Sequence, residues 1–301
     1  MNIEQLNADY GIADMVKFVE GKGGFPMIEI SNEQASATIS VYGGQVLSFK
    51  PANQTEDVMF VSSQAYYQPG KAIKGGTPIC FPWFGPDPDD QGRSSHGFVR
   101  NRLWQMRDVI STQDGATQVT MGLVDTPETR DIWNYSFDFS VVITVGEVLT
   151  IELITHNTGT DSFNITQALH TYFKVGDIDQ VTVLGLADKE YLDKVDSGKQ
   201  KTQNGEVTFS GECDRIYLDV PAELAVEDRA LNRKITVKAT NSNTAIVWNP
   251  AADISAKMAD LGDLDYKSFV CVETANAANE IIEVAAGERY HMAANYSVMG
   301  L

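Results

Sequence analysis

Short runs in which apolar and polar side chains alternate with a two-residue period recur along this chain, and they limit what it can fold into. Tyr135 to Thr144 and Val148 to Ile154 alternate for most of their length, as half-buried β-strands do. Similar runs occupy residues 27–31, 37–41, 180–184, 206–209, 215–220, 234–238, 244–248, 269–273 and 280–284. Turn-forming pairs such as Asn204-Gly205 separate them. Successive strands with short connections predict an all-β protein, an antiparallel sandwich or barrel, rather than a βαβ fold.

Helical segments are few in this pattern. Residues 5–19 are an ambiguous candidate, and Ile254 to Leu261 is long enough for about two helical turns. No linker, charge block or internal repeat divides the 301 residues. The sequence therefore predicts one large β domain, residues 1–301.

Charge and cysteine content exclude several classes of protein. The formal net charge of −18 argues against non-specific binding to nucleic acid or to an anionic membrane, because both need a basic surface. The three cysteines form no Cys-X-X-Cys pair, so they do not indicate a disulfide framework. Neither a secretory signal nor an apolar run of membrane-spanning length is visible. We expect a cytoplasmic protein in its reduced form.

Two irregular regions interrupt the strands, at residues 70–101 and 249–267. Long segments without regular structure inside a compact domain are usually functional. The span from Lys71 to Arg107 carries six basic and three acidic residues, in a chain that is otherwise strongly acidic. Such a basic cluster is consistent with a site for an anion such as phosphate, and equally with ordinary surface charge.

Four side chains are candidates for acid–base chemistry. His96 lies in the Gly-rich segment Ser95-His-Gly-Phe98, and His170 lies among apolar residues between Ala168 and Phe173. Glu273 ends an otherwise apolar run, and Asp214 is a similar carboxylate in a weaker context. A carboxylate facing a histidine is able to act as a general acid–base pair, although a histidine in an apolar strand is more often a core residue. The spacing of His and Cys residues gives no support for a metal site.

Five motifs occur in an order that resembles the aldose 1-epimerase superfamily, also called galactose mutarotase-like. Among its branches, the glucose-6-phosphate 1-epimerases are the most similar. The motifs are Lys74-Gly-Gly-Thr-Pro-Ile-Cys-Phe-Pro-Trp-Phe-Gly85, Ser95-His-Gly-Phe-Val-Arg-Asn101, Leu169-His-Thr-Tyr-Phe173, Asp214-Arg-Ile-Tyr217 and Cys271-Val-Glu-Thr274. The resemblance extends from about residue 27 to about residue 298.

This resemblance implies a large antiparallel β supersandwich with few short helices. It also implies interconversion of the α and β anomers of a hexose 6-phosphate, glucose 6-phosphate foremost, without a metal or organic cofactor. His170 then corresponds to the general acid and Glu273 to the general base. The matching substrate-binding positions are Lys74, Ser95, Arg100 and Asp214, and His96 lies in the loop that lines the sugar pocket. Two positions depart from the family, which commonly has Arg where this chain has Lys74 and Gln where it has Ser95.

For this chemistry we expect an ionised Glu273 and a protonated His170 on opposite sides of the sugar. Three alternatives stay open on the sequence: a free-aldose mutarotase, a β-sandwich glycoside hydrolase or lyase that uses Asp214 and Glu273, and a non-catalytic sugar-phosphate-binding protein. The expected partner is a small sugar phosphate, with no nucleic acid and no membrane. We expect a monomer or a weak dimer.

Overall fold

The computed structural model describes residues 2–301, and most of the regular structure in this range is β-strand. The strands form four sheets in which every ladder is antiparallel. Sheet I contains, in order, β1 (Val16–Glu20), β2 (Pro26–Ser31), β3 (Ala35–Ser40) and β4 (Gln45–Pro51). A two-stranded ribbon consists of β10 (Phe163–Ile165) and β21 (Ile282–Val284).

The two remaining sheets have eight strands each. Sheet II has the order β15 (Lys199–Thr202), β14 (Glu190–Asp193), β16 (Cys213–Tyr217), β19 (Thr244–Asn249), β20 (Phe269–Asn276), β11 (Gln167–Leu169) and β5 (Ile79–Cys80), and β12 (Tyr172–Lys174) also pairs with β20. Sheet III has the order β13 (Val181–Leu184), β17 (Glu223–Asp228), β18 (Arg233–Thr240), β22 (Arg289–Gly300), β9 (Leu149–Asn157), β8 (Phe137–Val145), β7 (Thr117–Val124) and β6 (Gln105–Ser111). The predicted all-β class is confirmed.

Helices in the described range are short: α1 (Ile3–Tyr10), α2 (Pro127–Ile132) and α3 (Ala251–Ser255). The candidate helix at residues 5–19 is confirmed only in its first part. The helix ends at Tyr10, and the chain then turns into β1. Asn7 fixes this turn, since its side-chain amide donates to the carbonyl of Phe18 and its oxygen accepts from the Phe18 amide. The helix predicted from Ile254 to Leu261 instead begins at Ala251 and ends at Ser255.

The expected strand at residues 206–209 is wrong. In this segment only Val207 pairs with another strand, through a single bridge in which its amide and carbonyl both bond to Val183. One bridge anchors the segment at the edge of sheet III without continuing into a ladder.

The main hydrophobic core lies between sheets II and III. In β8 and β9 every second side chain is buried, so the alternation read from the sequence matches one core-facing and one outer face. Val270 and Val272 of sheet II join Val141 and Val226 of sheet III in one large buried cluster, which also includes Ile28 of sheet I. Nonpolar burial on this scale is the main stabilising term of the fold.

Strand β20 departs from the half-buried pattern, because all eight of its residues are buried. Val270 and Val272 of this strand face the main core. Cys271 and Glu273 therefore point to the opposite face of sheet II. Smaller buried clusters cover that second face, among them the side chains of Phe60, Tyr172 and Ile246. A strand covered on both faces is able to hold a polar side chain away from bulk water.

Among the described residues, the structure contains no helix that is both long enough and apolar enough to span a membrane.

Candidate active site

His170 and Glu273 meet across neighbouring strands of sheet II. Leu169 in β11 lies opposite Thr274, and Tyr172 in β12 lies opposite Cys271. The register is the same on both sides of the gap between β11 and β12, so position 170 falls opposite position 273. His170 Nδ1 lies 3.3 Å from Glu273 Oε1. The two residues are far apart in the chain, and only strand pairing brings them together.

On the opposite edge from β20, the segment that precedes β5 continues the β5–β11 pairing alongside residues 170–172. The His170 amide donates to the carbonyl of Pro78, and the Tyr172 amide donates to that of Gly76. Gly76 has a φ of 61°, and a Cβ at this position would lie 2.1 Å from the carbonyl oxygen of Val46. The close approach therefore requires glycine. It brings the Lys74 to Pro78 segment alongside the histidine, as the Gly-Gly pair in the motif suggests.

The imidazole of His170 is fixed by aromatic packing. Its ring stacks on Tyr172 with a centroid separation of 5.0 Å and lies edge-on to Trp248 at 5.9 Å. The side chain of His170 is 13% exposed, whereas that of Glu273 is 1% exposed. The imidazole therefore lies at the boundary of the buried region and covers the carboxylate.

This pair retains unused hydrogen-bonding capacity. His170 Nδ1 and Glu273 Oε2 are both buried, and neither has a hydrogen-bond partner. A buried polar atom without a partner costs about 1–3 kcal/mol, so such atoms are rare in native proteins and concentrate at functional sites. Each residue of the pair thus has one polar atom whose hydrogen-bonding capacity is not satisfied within residues 2–301 of the protein.

Burial shifts the two pKa values in opposite directions. Loss of hydration raises the pKa of Glu273 well above its usual range, and the negative charge of Asp214 adds to this. Loss of hydration also lowers the pKa of His170 well below its usual range, and the nearby His96, Arg100 and Lys74 add to this. Without a ligand the site therefore favours a neutral imidazole and a protonated carboxyl, the reverse of the ionised Glu273 and protonated His170 expected from the sequence.

His96 lies next to His170, with ring centroids 5.8 Å apart. Its backbone is in the left-handed region, with a φ of 64°, and its Nδ1 accepts a hydrogen bond from the Gly85 amide at 3.3 Å. Burial lowers the pKa of His96 to about 3. The ring is therefore neutral at physiological pH, and because Nδ1 accepts, its proton is on Nε2. His96 offers the pocket a hydrogen-bond donor without a charge.

Arg100 supplies an unneutralised positive charge to this site. Its Nη2 donates to the carbonyl of Ser95 at 3.0 Å, and its buried Nε has no partner. Ser95 is exposed, and in this contact it contributes its backbone. Within residues 2–301, Arg100 has no carboxylate within ion-pair distance, unlike most of the basic cluster. The paired members are Lys74 with Asp260, Arg93 with Asp87 and Asp89, Arg102 with Glu128, and Arg107 with Asp138.

Lys74 and Asp214 lie around the pair in different electrostatic settings. Lys74 Nζ is 3.4 Å from Asp260, a residue of the second irregular region, so part of its charge is already compensated. Asp214 lies opposite Trp248 on β19, which in turn lies opposite Cys271 on β20. Burial raises the pKa of Asp214 to about 6, against the opposing effect of Lys194.

The structure thus brings His96 and His170 beside Glu273 and sets the charges of Lys74, Arg100 and Asp214 around them; for Ser95 it gives a contact with Arg100 only. The sequence argument did not single out Tyr172, Trp248 and Asp260. Tyr172 is within a quoted motif, and Asp260 belongs to the irregular region at residues 249–267. The sequence therefore pointed to both segments but did not indicate what these two side chains do. A buried acid–base pair on the second face of a large antiparallel β-sandwich, with a guanidinium nearby that is unpaired within the described range, is suited to proton transfer on a small anionic substrate.

Comparisons with known proteins agree with this chemistry. A family model described as aldose 1-epimerase matches residues 26–297. A candidate glucose-6-phosphate 1-epimerase of Escherichia coli is 37% identical over 273 residues, which are 90% of each chain. A protein with the same candidate name from Cenchrus ciliaris is 36% identical over 263 residues, 84% of this chain and 78% of its own. The crystal structure of a candidate mutarotase from Salmonella typhimurium has a TM-score of 0.90 at 33% identity, covering 97% of this chain and 96% of its own.

The chain belongs to the aldose 1-epimerase family. The predicted galactose mutarotase-like fold and the predicted enzyme class, an isomerase that interconverts anomers, are confirmed. The comparisons favour this function over the hydrolase, lyase and non-catalytic alternatives.

Proposed function

We propose that this protein interconverts the α and β anomers of glucose 6-phosphate or a closely similar hexose 6-phosphate, with His170 and Glu273 as the acid–base pair. The observation that carries the proposal is the buried pair at 3.3 Å with one unpartnered atom on each residue. The named activity of the relatives supports the substrate.

Ring opening needs one proton removed from the anomeric hydroxyl and one delivered to the ring oxygen. Glu273 accepts the first proton at its free Oε2, and His170 delivers the second. Rotation about the bond to the carbonyl carbon and the reverse transfers close the ring on the other face. Because reclosure uses the same two groups in reversed roles, the pair is restored after each turnover.

This cycle requires that the pair carry one proton in total. A neutral imidazole beside a protonated carboxyl and an imidazolium beside a carboxylate contain the same number of protons. When the anomeric hydroxyl donates to Glu273, that hydrogen bond favours the carboxylate. The phosphate dianion favours the imidazolium, because it compensates the cations that lower the pKa of His170. Substrate binding therefore moves the proton to the residue that delivers it.

Arg100 is the proposed phosphate ligand, because its guanidinium has free donor capacity and no carboxylate partner among the described residues. Lys74 is a weaker contributor, since Asp260 already compensates its charge. Asp214 accepts from a sugar hydroxyl, and His96 donates from Nε2. Ser95 orients Arg100 through its carbonyl. A position in the cytoplasm is part of the same proposal, because sugar phosphates are intracellular metabolites.

The test is the rate of anomer exchange, followed by NMR with glucose 6-phosphate and with glucose. We expect a higher kcat/KM for the phosphorylated sugar; equal values would indicate a free-aldose mutarotase. His170→Asn should remove most of the exchange, and a near-wild-type rate would overturn the assignment. Arg100→Ala should raise KM for glucose 6-phosphate and leave KM for glucose nearly unchanged. Arg102→Ala is the matched control, because Glu128 already binds Arg102.

A further inference from the structure

Cys271 lies beside the catalytic pair, and its thiol is able to bind a metal ion. The proposed reaction does not use this side chain. Cys271 precedes Glu273 by two residues on β20, and therefore points to the same face of sheet II. One ligand atom from each of His170, Cys271 and Glu273 lies within 4.8 Å of the other two. The thiol is buried, and Tyr172 and Trp248 lie opposite it on the two neighbouring strands.

Nitrogen, sulfur and carboxylate oxygen together are a donor set that Zn²⁺ uses in proteins. The free electron pairs are available, because His170 Nδ1 and Glu273 Oε2 are buried without a partner. A neutral imidazole binds a metal ion through the electron pair of its unprotonated ring nitrogen. Three protein ligands and a partly exposed imidazole leave a fourth position open to water, as in catalytic rather than structural zinc sites.

Charge balance also favours such an ion. Zn²⁺ held by one thiolate, one carboxylate and one neutral imidazole forms a unit with no net charge. A buried site tolerates a neutral unit far better than an isolated charge. The opposing factors are the positive charges of Arg100 and Lys74 and the burial of the thiol, which raises the pKa of Cys271. In forming the Zn–S bond the ion displaces the thiol proton to the buffer, and it likewise displaces the carboxyl proton of Glu273 where that is present.

We propose that His170, Cys271 and Glu273 form an inhibitory site for a thiophilic divalent cation, with Zn²⁺ as the fitting ion. A bound ion occupies the atoms that move the protons, so metal and sugar exclude each other. The metal-binding part of this inference stands on the three ligands alone. The inhibitory part rests on the proposed function of the same site.

The first experiment measures binding without sugar. Chelator-treated protein is titrated with Zn²⁺ by calorimetry, and with Co²⁺ by absorption spectroscopy. We expect one ion per chain and, for Co²⁺, a sulfur-to-metal charge-transfer band with the strong visible bands of tetrahedral coordination. Cys271→Ser should remove that band. It should also weaken Zn²⁺ binding at least as much as loss of an outer-shell partner does, about 10–100-fold.

Cys213→Ser is the matched control, because Cys213 is also buried but donates to the Val247 carbonyl instead of facing the pair. This variant should bind both ions like the wild type. Circular dichroism and thermal melting establish that each variant is folded, and Cys271→Ala provides a second test should the serine variant unfold. The proposal is overturned by absence of stoichiometric binding, by a Co²⁺ spectrum without the charge-transfer band, or by a Cys271 variant that binds Zn²⁺ as tightly as the wild type.

The second experiment measures anomer exchange at increasing Zn²⁺. We expect inhibition that sugar phosphate relieves, that EDTA reverses, and that Cys271→Ser lacks while keeping its basal exchange. Stoichiometric binding without inhibition would overturn the inhibitory part only. Absence of exchange in metal-free wild type would contradict the proposed function and leave the binding result to decide the metal site.

Discussion

Two buried acid–base pairs in this molecule have opposite hydrogen-bonding states. In sheet III, Asp228 and Arg233 are 0% and 2% exposed and lie 3.9 Å apart at their closest charged atoms. In sheet II, Glu273 is as deeply buried, and its partner His170 is at 3.3 Å. Similar depth and similar proximity therefore do not distinguish a structural pair from a reactive one.

The difference lies in what surrounds each pair. Asp228 accepts from the backbone amides of Gly176, Ala230 and Leu231, and Arg233 donates to several backbone carbonyls, including that of Lys174. Backbone groups of the loops thus occupy most of that pair's capacity and tie sheet III to its neighbours.

The sheet II pair leaves one polar atom free on each residue. In the sheet III pair only Nε of Arg233 lacks a partner among residues 2–301, and Asp228 is hydrogen-bonded at both carboxylate oxygens. A pair that is mostly satisfied in this way stabilises a fold, whereas a pair with an unpartnered atom on both residues keeps binding capacity for a substrate at a cost in stability.

Glu273→Gln should separate activity from stability most strongly. We expect anomer exchange to fall by about 10²–10⁴-fold, because an amide is unable to carry the proton. The free energy of unfolding should not decrease, since the change removes a buried ionisable group whose pKa is raised by burial. Exchange by NMR and urea unfolding by circular dichroism measure the two quantities. Near-wild-type exchange, or a stability loss as large as that of a core substitution, would contradict the comparison.

Asp228→Asn should show the opposite behaviour. Removing one partner of a buried pair leaves an uncompensated charge, so we expect a loss of about 3–5 kcal/mol in the free energy of unfolding. The kcat of the folded protein should stay near that of the wild type. Asp131→Asn, at an exposed carboxylate, is the control. An effect on stability no larger than that of the control would remove the distinction between the two pairs.

Asp214→Asn should stabilise the protein in a pH-dependent way. The folded pKa of about 6 lies above the unfolded value of 3.8, so the native state holds this proton more tightly and stability falls as pH rises through that interval. The variant should exceed the wild type in the free energy of unfolding by about 3 kcal/mol at pH 8, and the difference should vanish below about pH 4. Thermal melts at both pH values check this. An equal difference in stability between variant and wild type at both pH values would show that ionisation of Asp214 does not destabilise the folded protein.

The smallest expected effect concerns the acid limb of the pH profile, measured with an unphosphorylated hexose so that the phosphate does not titrate. In the active state the His170–Glu273 pair carries one proton. It takes up a second proton only below about pH 6.5, the ordinary pKa of histidine, because burial lowers the pKa of His170. Arg100 lowers that pKa further, so Arg100→Ala should move the limb to higher pH. A limb that stays in place would show that the charge of Arg100 does not act on the pair.

Much of the fold follows from local pattern. The alternation in Tyr135 to Thr144 and in Val148 to Ile154 corresponds to the long hairpin of β8 and β9, because half-buried strands need that period. The prediction failed at residues 206–209. Apolar and polar residues alternate there, but the segment makes only one bridge to another strand, and alternation without a full ladder does not make a strand. The prediction was ambiguous at residues 5–19. Asn7 holds the turn between the helix and β1 through its side-chain hydrogen bonds to the backbone of Phe18, and the periodicity of the sequence does not predict this contact.

The sequence by itself determined the β architecture, the family and the candidate residues, because periodicity and motif order are properties of the chain. Only the tertiary structure decided that Arg100 lacks a carboxylate while Lys74 has one, that burial shifts the pKa values of His170 and Glu273 in opposite directions, and that Cys271 lies beside them. The physical reason is that hydration and Coulomb energy depend on distances between atoms. Those distances were set when β11 and β12 paired with β20.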